Sequence, residues 1–322
     1  MLTSVKKPIE EELNTFNTYL RQEFTSRLTL LDDILQHLIK QQGKQLRPIF
    51  MLLSAKALGT INDKTYKMSL LVEMLHTASL VHDDVVDNSA LRRGKPTINA
   101  LWDNRTAVLA GDYILAQALQ LSSEIDIPST LPSLTQVVCT MGEGEFLQLE
   151  KNRQLSTQES DYFKIISQKT AALISLCCKL GAISVSAKEE YQQQITEFGQ
   201  LIGIAFQICD DILDFSDDHK VGKIIGNDIR EQKLTLPTIY YLQDCDKDTK
   251  EMILSDIRKA ANEQASLEKV LNTIRHSQAM DRARNTMKHY VNKALEQLED
   301  LPQSEALQSL RLLAQYCIDR DY

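Results

Sequence analysis

The chain has 322 residues, 43% of them hydrophobic, 25% charged and 6% aromatic, with a formal charge of −8 at pH 7. That composition excludes collagen-like, mucin-like and wholly disordered chains. The acidic balance argues against a nucleic-acid partner, which calls for a basic surplus. Six of the carboxylates sit in two short segments, so the excess negative charge is local.

The first segment, MLTSVKKPIEEELNTF, turns acidic where a signal peptide would be apolar. Downstream, apolar residues recur at helical spacing in LLVEMLHTASLVHDDVVD and FGQLIGIAFQICDDILDF. Breaks fall near Gln41–Gly43, Gly59–Asp63, Arg92–Pro96, Ile125–Pro132, Lys151–Thr157, Ala187–Glu189 and Ser216–Gly226. Seven prolines occur, none between Ser133 and Leu236, which leaves that stretch open to helix. Alternating β patterns are missing, as are Asn-Gly and Asp-Gly hairpin turns. The apolar run Ala171–Ala187 carries Lys179 and reads as a buried helix, not a membrane span. The prediction is an all-α protein of about ten helices, most longer than the average of ~11 residues. No linker divides it, so residues 1–322 are read as one domain. The six cysteines, Cys139, Cys177, Cys178, Cys209, Cys245 and Cys317, have no zinc spacing and read as reduced, mostly buried thiols of a cytoplasmic protein.

Asp83, Asp84 and Asp87 form D-D-V-V-D, and Asp210, Asp211 and Asp214 form D-D-I-L-D. Each set follows an apolar helix, with the i and i+4 carboxylates on one face about 6 Å apart. Like charges at this spacing repel, and acids near a helix C-terminus oppose its dipole. An isolated helix gains nothing from them. A hard divalent cation relieves the repulsion, because Mg²⁺ takes one or two carboxylates and fills its shell with water and phosphate oxygens. The D-x-[DN]-x-[DN]-G spacing of a calcium loop is missing at both places.

Cations for a phosphate ligand cluster where helices start and stop. Lys44 and Arg47 lie in GKQLRP, a loop-to-helix junction. Arg92 and Arg93 follow the first cluster in RRGK, and Lys169 with Thr170 lies inside an apolar helix. Lys223 and Lys233 flank the loop after the second cluster, where Asp228 offers a further metal contact. His76 precedes Asp83 by two turns on the same face; His82 has no evident role. The chain contains no G-x-S-x-G elbow, P-loop or G-x-G-x-x-G fingerprint.

Together GKQLRP, LVHDDVVDNSALRRGKPT, Lys169-Thr170, GIAFQICDDILDF and GNDIREQKLTLP resemble the all-trans isoprenyl (polyprenyl) diphosphate synthases from about Ile34 onward, closest in type to bacterial octaprenyl and heptaprenyl synthases. One departure is Gln232, where many relatives have glycine. The resemblance implies helices around a central cavity, usually in a homodimer, and about three Mg²⁺ ions bridging the two clusters to an allylic diphosphate. It implies that Asp83 and Asp87 hold two ions and Asp210 the third, helped by Asp84, Asp211, Asp214 and Asp228. Arg92, Lys169, Gln207, Lys223 and Lys233 would contact the allylic diphosphate, farnesyl diphosphate for example. Lys44, Arg47, His76 and Arg93 would hold isopentenyl diphosphate.

In relatives that stop at a short product, bulky residues close the pocket about one turn before the first aspartate. Here that turn carries Ala78 and Ser79. The expected product is therefore long and lipidic, about C35–C50, with the floor deeper, among Met74, Leu75 and the Trp102–Leu119 helix. The alternatives are a farnesyl or geranylgeranyl synthase, a class I terpene cyclase, a non-catalytic subunit of a hetero-oligomeric synthase, and a plain helical scaffold. Two intact clusters favour the enzyme.

Overall fold

The computed structural model describes residues 2–216 and 225–318. Its helices are α1 (Leu2–Lys6), α2 (Glu10–Glu23), α3 (Thr29–Lys40), α4 (Leu46–Leu58) and α5 (Asp63–Val86). A two-strand hairpin follows, β1 (Leu91–Arg92) and β2 (Lys95–Pro96), then α6 (Ile98–Leu101), α7 (Asn104–Glu124), α8 (Thr130–Gln154) and α9 (Glu159–Ile166). A π-helical turn, Ser167–Ala171, joins α9 to α10 (Ala172–Ser184), and α11 (Glu189–Leu213) carries the second aspartate cluster. The remainder is α12 (Asn227–Arg230), α13 (Leu236–Asp244), α14 (Lys247–Ala260), α15 (Gln264–Arg275), α16 (Gln278–Glu296) and α17 (Glu305–Ile318).

The all-α prediction holds, but the helices are more numerous and several are shorter than expected. Breaks at Phe24–Leu28, Cys245–Asp246, Ala261–Glu263 and His276–Ser277 have no proline and no glycine. Side-chain caps start new helices at two of them: Asp246 accepts from Thr249 N at 2.9 Å, and the Ser277 hydroxyl from Ala279 N at 3.3 Å. The hairpin is the only strand pairing among the described residues. Arg93 (φ 54°) and Gly94 (φ 73°) are both left-handed between Arg92↔Lys95 partners, the two-residue turn that matches strand twist.

The chain divides into two compact units. The first comprises residues 1–135, 176–196 and 300–312, and its centre is α4 and α5. Pro48 through Ala55 are all buried, as expected of a helix that is apolar on every side. Asn62 starts α5 through a capping box with Thr65, and α5 packs along α7. Gly181 of α10 lies so close to α4 that an added Cβ would stand 2.5 Å from the Met51 carbonyl oxygen. Trp102, expected at the start of the α7 helix, lies before it, against the cluster Ile34, Val81, Ile98, Ala107 and Ala110.

The second unit comprises residues 136–175, 197–299 and 313–322, where α13 packs on α9 and α16, and α14 on α15. Gly203 of α11 meets the π turn closely: a Cβ there would lie 2.6 Å from Ala171 Cα. Of the described cysteines, Cys177, Cys178 and Cys209 are buried, in line with mostly buried thiols, whereas Cys139 is exposed on α8. None forms a disulfide among the described residues. No helix among them is long and apolar enough to cross a membrane.

Candidate active site

The first cluster ends α5. Asp83 and Asp84 lie in its last turn and Asp87 caps it, its N–H donating to the Asp83 carbonyl at 2.8 Å. Asp84 is buried, Asp83 half-buried and Asp87 exposed. Arg92 Nε donates to Asp84 Oδ1 at 2.8 Å. Burial pushes the Asp84 carboxyl up; Arg92 pulls against that shift and Asp87 adds to it.

Arg93 donates from Nη1 to the Gln41 carbonyl at 3.1 Å. Its guanidinium lies against Gly43, where an added Cβ would stand 2.4 Å from Nη1, so a larger residue there would require the Arg93 side chain to shift. Lys44 is exposed beside it. Arg47, in the first turn of α4, has Nε buried without a hydrogen-bond partner. Burial, then Arg47, Arg93 and Arg92, hold the His76 imidazole well below its ordinary pKa, so it is neutral at pH 7. Glu73, one turn before His76, faces Arg47 and Arg93; its carboxyl is raised by burial, against the pull of both. His82 turns toward α7, with Nε2 3.3 Å from Asp112 Oδ1.

The second cluster ends α11. Asp210 is half-buried, while Asp211 is 1% exposed, accepts two hydrogen bonds and has a cation close by. Tyr162 Oη donates to its Oδ2 at 2.6 Å, Gln207 Nε2 donates to its Oδ1 at 2.9 Å, and Lys233 Nζ lies 3.8 Å from Oδ1. Asp214 accepts from the backbone N–H groups of Asn227 and Asp228 at 3.2 and 3.0 Å, fixing the start of α12. Lys233 Nζ pairs with Asp228 Oδ1 at 2.9 Å. Burial raises Asp211 to about 7 and Asp214 to about 6. Burial works against the Lys233 charge, but Asp228 and Asp211 outweigh it and keep the ammonium protonated.

Lys169 and Thr170 lie within the π turn rather than in a regular α-helix; such wider turns recur at functional sites. Lys169 Nζ pairs with Glu145 of α8, 2.8 and 2.7 Å from its two oxygens. Gly144 permits this approach, since its Cβ would stand 2.9 Å from Gln168 Cβ. Thr170 Oγ1 donates to Gln207 Oε1 at 2.8 Å. Lys223 lies outside the described residues.

The structure thus assembles Arg47, His76, Arg92 and Arg93 near one aspartate cluster, and Thr170, Gln207, Asp228 and Lys233 around the other. Sequence reasoning missed Glu73, Glu145 and Tyr162. Glu73 carried a signal, a carboxylate one turn from His76 inside an apolar run. Tyr162 carried none. A surface cleft of about 620 Å³, lined by Asp244, Gln278, Asp281, Arg282, Asn285, Thr286 and His289, contains none of the residues singled out from sequence.

The donor set suits a hard cation. Among the described residues no three His, Cys, Asp or Glu side chains close into a ready cage. Mg²⁺ does not require one, since it keeps waters and takes phosphate oxygens beside one or two carboxylates. Asp84, Asp211 and Asp214, raised by burial, are carboxylates whose charge a nearby cation would favour.

Fold and site define an all-α protein with two aspartate-rich helix ends, each backed by a half-buried cation. The chain belongs to the polyprenyl synthetase family, whose model matches residues 28–274. It is 38% identical, over 97% of this chain and 96% of the relative, to an all-trans-nonaprenyl-diphosphate synthase (geranyl-diphosphate specific) of Rhodobacter capsulatus. It is 35% identical, over 98% and 89%, to heptaprenyl diphosphate synthase component 2 of Bacillus subtilis. Its fold matches the crystal structure of a polyprenyl synthase from Caulobacter crescentus CB15, complexed with calcium and isoprenyl diphosphate. The TM-score is 0.94 at 30% identity, covering 100% of this chain and 98% of that one.

Proposed function

We propose that this chain is a Mg²⁺-dependent trans-polyprenyl diphosphate synthase that adds isopentenyl diphosphate, head to tail, to an allylic diphosphate and yields a long-chain product for quinone side chains. The observation that carries it is the pair of D-D-x-x-D helix ends, each with a cation held against its second aspartate: Arg92 at Asp84, Lys233 at Asp211. The long-chain similarity of the relatives supports the same reading.

Bound Mg²⁺ supplies charge neutralisation of the departing diphosphate. Asp83, Asp87 and Asp210, helped by Asp84, Asp211, Asp214 and Asp228, are assigned to about three such ions. Lys169, Gln207 and Lys233, with Arg92 and Lys223, hold the allylic diphosphate and stabilise its charge as the C–O bond ionises. Lys44, Arg47, His76 and Arg93 hold isopentenyl diphosphate. A neutral His76 donates one hydrogen bond without adding charge to three arginines. The departing diphosphate accepts the proton, so no side chain is needed as base. The growing chain follows α5, where Ala78 and Ser79 leave room and Met74 and Leu75, both buried, stand nearer the floor. The two units act as one synthase domain, in the cytoplasm, as a homodimer.

Purified protein is incubated with Mg²⁺, farnesyl diphosphate and labelled isopentenyl diphosphate, and the dephosphorylated products are sized. The expected ladder ends at about C35–C50. Arrest at a short product would mean a floor beside Ala78 and a farnesyl- or geranylgeranyl-type enzyme. No extension, with or without metal, would mean a subunit that needs a second chain.

A further inference from the structure

The hydroxyl of Tyr162 donates to Asp211 of the second aspartate cluster over 2.6 Å, and nothing in the proposed chemistry uses it. Its partner Asp211 is the most buried of the six clustered aspartates, with both oxygens engaged by protein donors. Tyr162 Oη and Gln207 Nε2 each present a hydrogen to Asp211, one to each oxygen. This orients Gln207 uniquely. Its Nε2 faces Asp211, which leaves Oε1 to accept the Thr170 hydroxyl at 2.8 Å. One Gln207 N–H remains uncommitted by these bonds. The Thr170 hydrogen is spent on Gln207, so Thr170 cannot also donate it to a phosphate.

We propose that Tyr162 and Thr170 are positioning residues for the allylic diphosphate: Tyr162 fixes Asp211, Asp211 and Thr170 together fix the Gln207 amide, and the remaining Gln207 N–H beside Lys233 receives the diphosphate. The inference rests on the synthase reading for the identity of the ligand. All five groups belong to one compact unit, on α9, the π turn, α11 and the segment before α13. Asp211 thereby acts as an anchor for the diphosphate donors.

Two measurements separate this inference from the synthase reading. Product formation by the unaltered chain tests the reading. Equilibrium binding of farnesyl thiolodiphosphate to the full-length chain in EDTA, by calorimetry, tests the inference whether or not turnover occurs. Tyr162→Phe should weaken binding about tenfold, and should cost less than about twofold in a Gln207→Ala background, because the two changes share one pathway. In turnover, the KM for farnesyl diphosphate should rise while that for isopentenyl diphosphate stays within about twofold. Thr170→Val should weaken binding similarly and Thr170→Ser should restore it; this pair carries the test if Tyr162→Phe does not fold. Equal losses in both backgrounds, an unchanged affinity, or a Thr170→Ser as weak as Thr170→Val would each overturn the inference.

Discussion

Arg92 donates from Nε to Asp84 Oδ1 over 2.8 Å, joining the hairpin after α5 to the last turn of α5 itself. The contact commits the second aspartate of the cluster to a protein cation. Asp84 is buried and paired, whereas Asp87 is exposed. The second cluster repeats the pattern, with Asp211 buried against Lys233. In both clusters the i+1 carboxylate orients a cation.

Asp84→Asn tests that commitment. It keeps the shape but removes the charge opposite Arg92, whose side chain is 29% exposed, so stability should fall by no more than about 1 kcal/mol. The kcat/KM for the allylic substrate should fall at least about tenfold, mainly through a higher KM. Asp83→Ala should instead abolish most turnover and leave the melting temperature nearly unchanged. Steady-state kinetics with thermal melts on both variants checks this.

Glu145 pairs with Lys169, the cation assigned above to the allylic diphosphate, and would compete with that ligand for it. The pair is partly exposed, 34% for the lysine and 29% for the glutamate, so it contributes about 0–1 kcal/mol. Glu145→Gln should tighten metal-free binding of an allylic diphosphate analogue by up to about fivefold. Weaker binding would show that Glu145 holds Lys169 in its productive position.

His76 should make stability depend on acidity. Its folded pKa lies well below the ordinary 6.5, from burial and from Arg47, Arg93 and Arg92. Below about pH 6.5 the unfolded chain binds a proton that the folded chain refuses, so stability is full above that pH and falls beneath it. The slope is at most about 1.4 kcal/mol per pH unit for one proton. Asp211 and Asp214, raised to about 7 and 6, act in the opposite sense over an overlapping range. The test is therefore a difference: urea melts from pH 5 to 8 of the unaltered chain against His76→Gln, whose curve should lack that one-proton slope.

Gln232 stands in left-handed backbone, φ 57°. A side chain there costs about 1–2 kcal/mol, part of which glycine gives back as entropy of the unfolded chain. Gln232→Gly should raise stability by about 0.5–1 kcal/mol and leave kcat within about twofold. A lower melting temperature would show that the Gln232 side chain makes up for its backbone.

The amino-acid sequence by itself determined the helical class and the two aspartate clusters, because helical periodicity and i, i+1, i+4 spacing are local properties. It marked His76, Arg92 and Lys233 by composition. It did not reveal the caps at Asp246 and Ser277, whose breaks lack proline and glycine, nor the Arg93-Gly94 turn, which lacks the usual asparagine or aspartate. The tertiary structure alone decided which carboxylate of each cluster is buried and which cation it faces. Tyr162 meets Asp211 across 49 positions of chain, and Glu145 meets Lys169 across 24. Hydrogen bonds at such separations depend on how helices pack, and no local pattern encodes that.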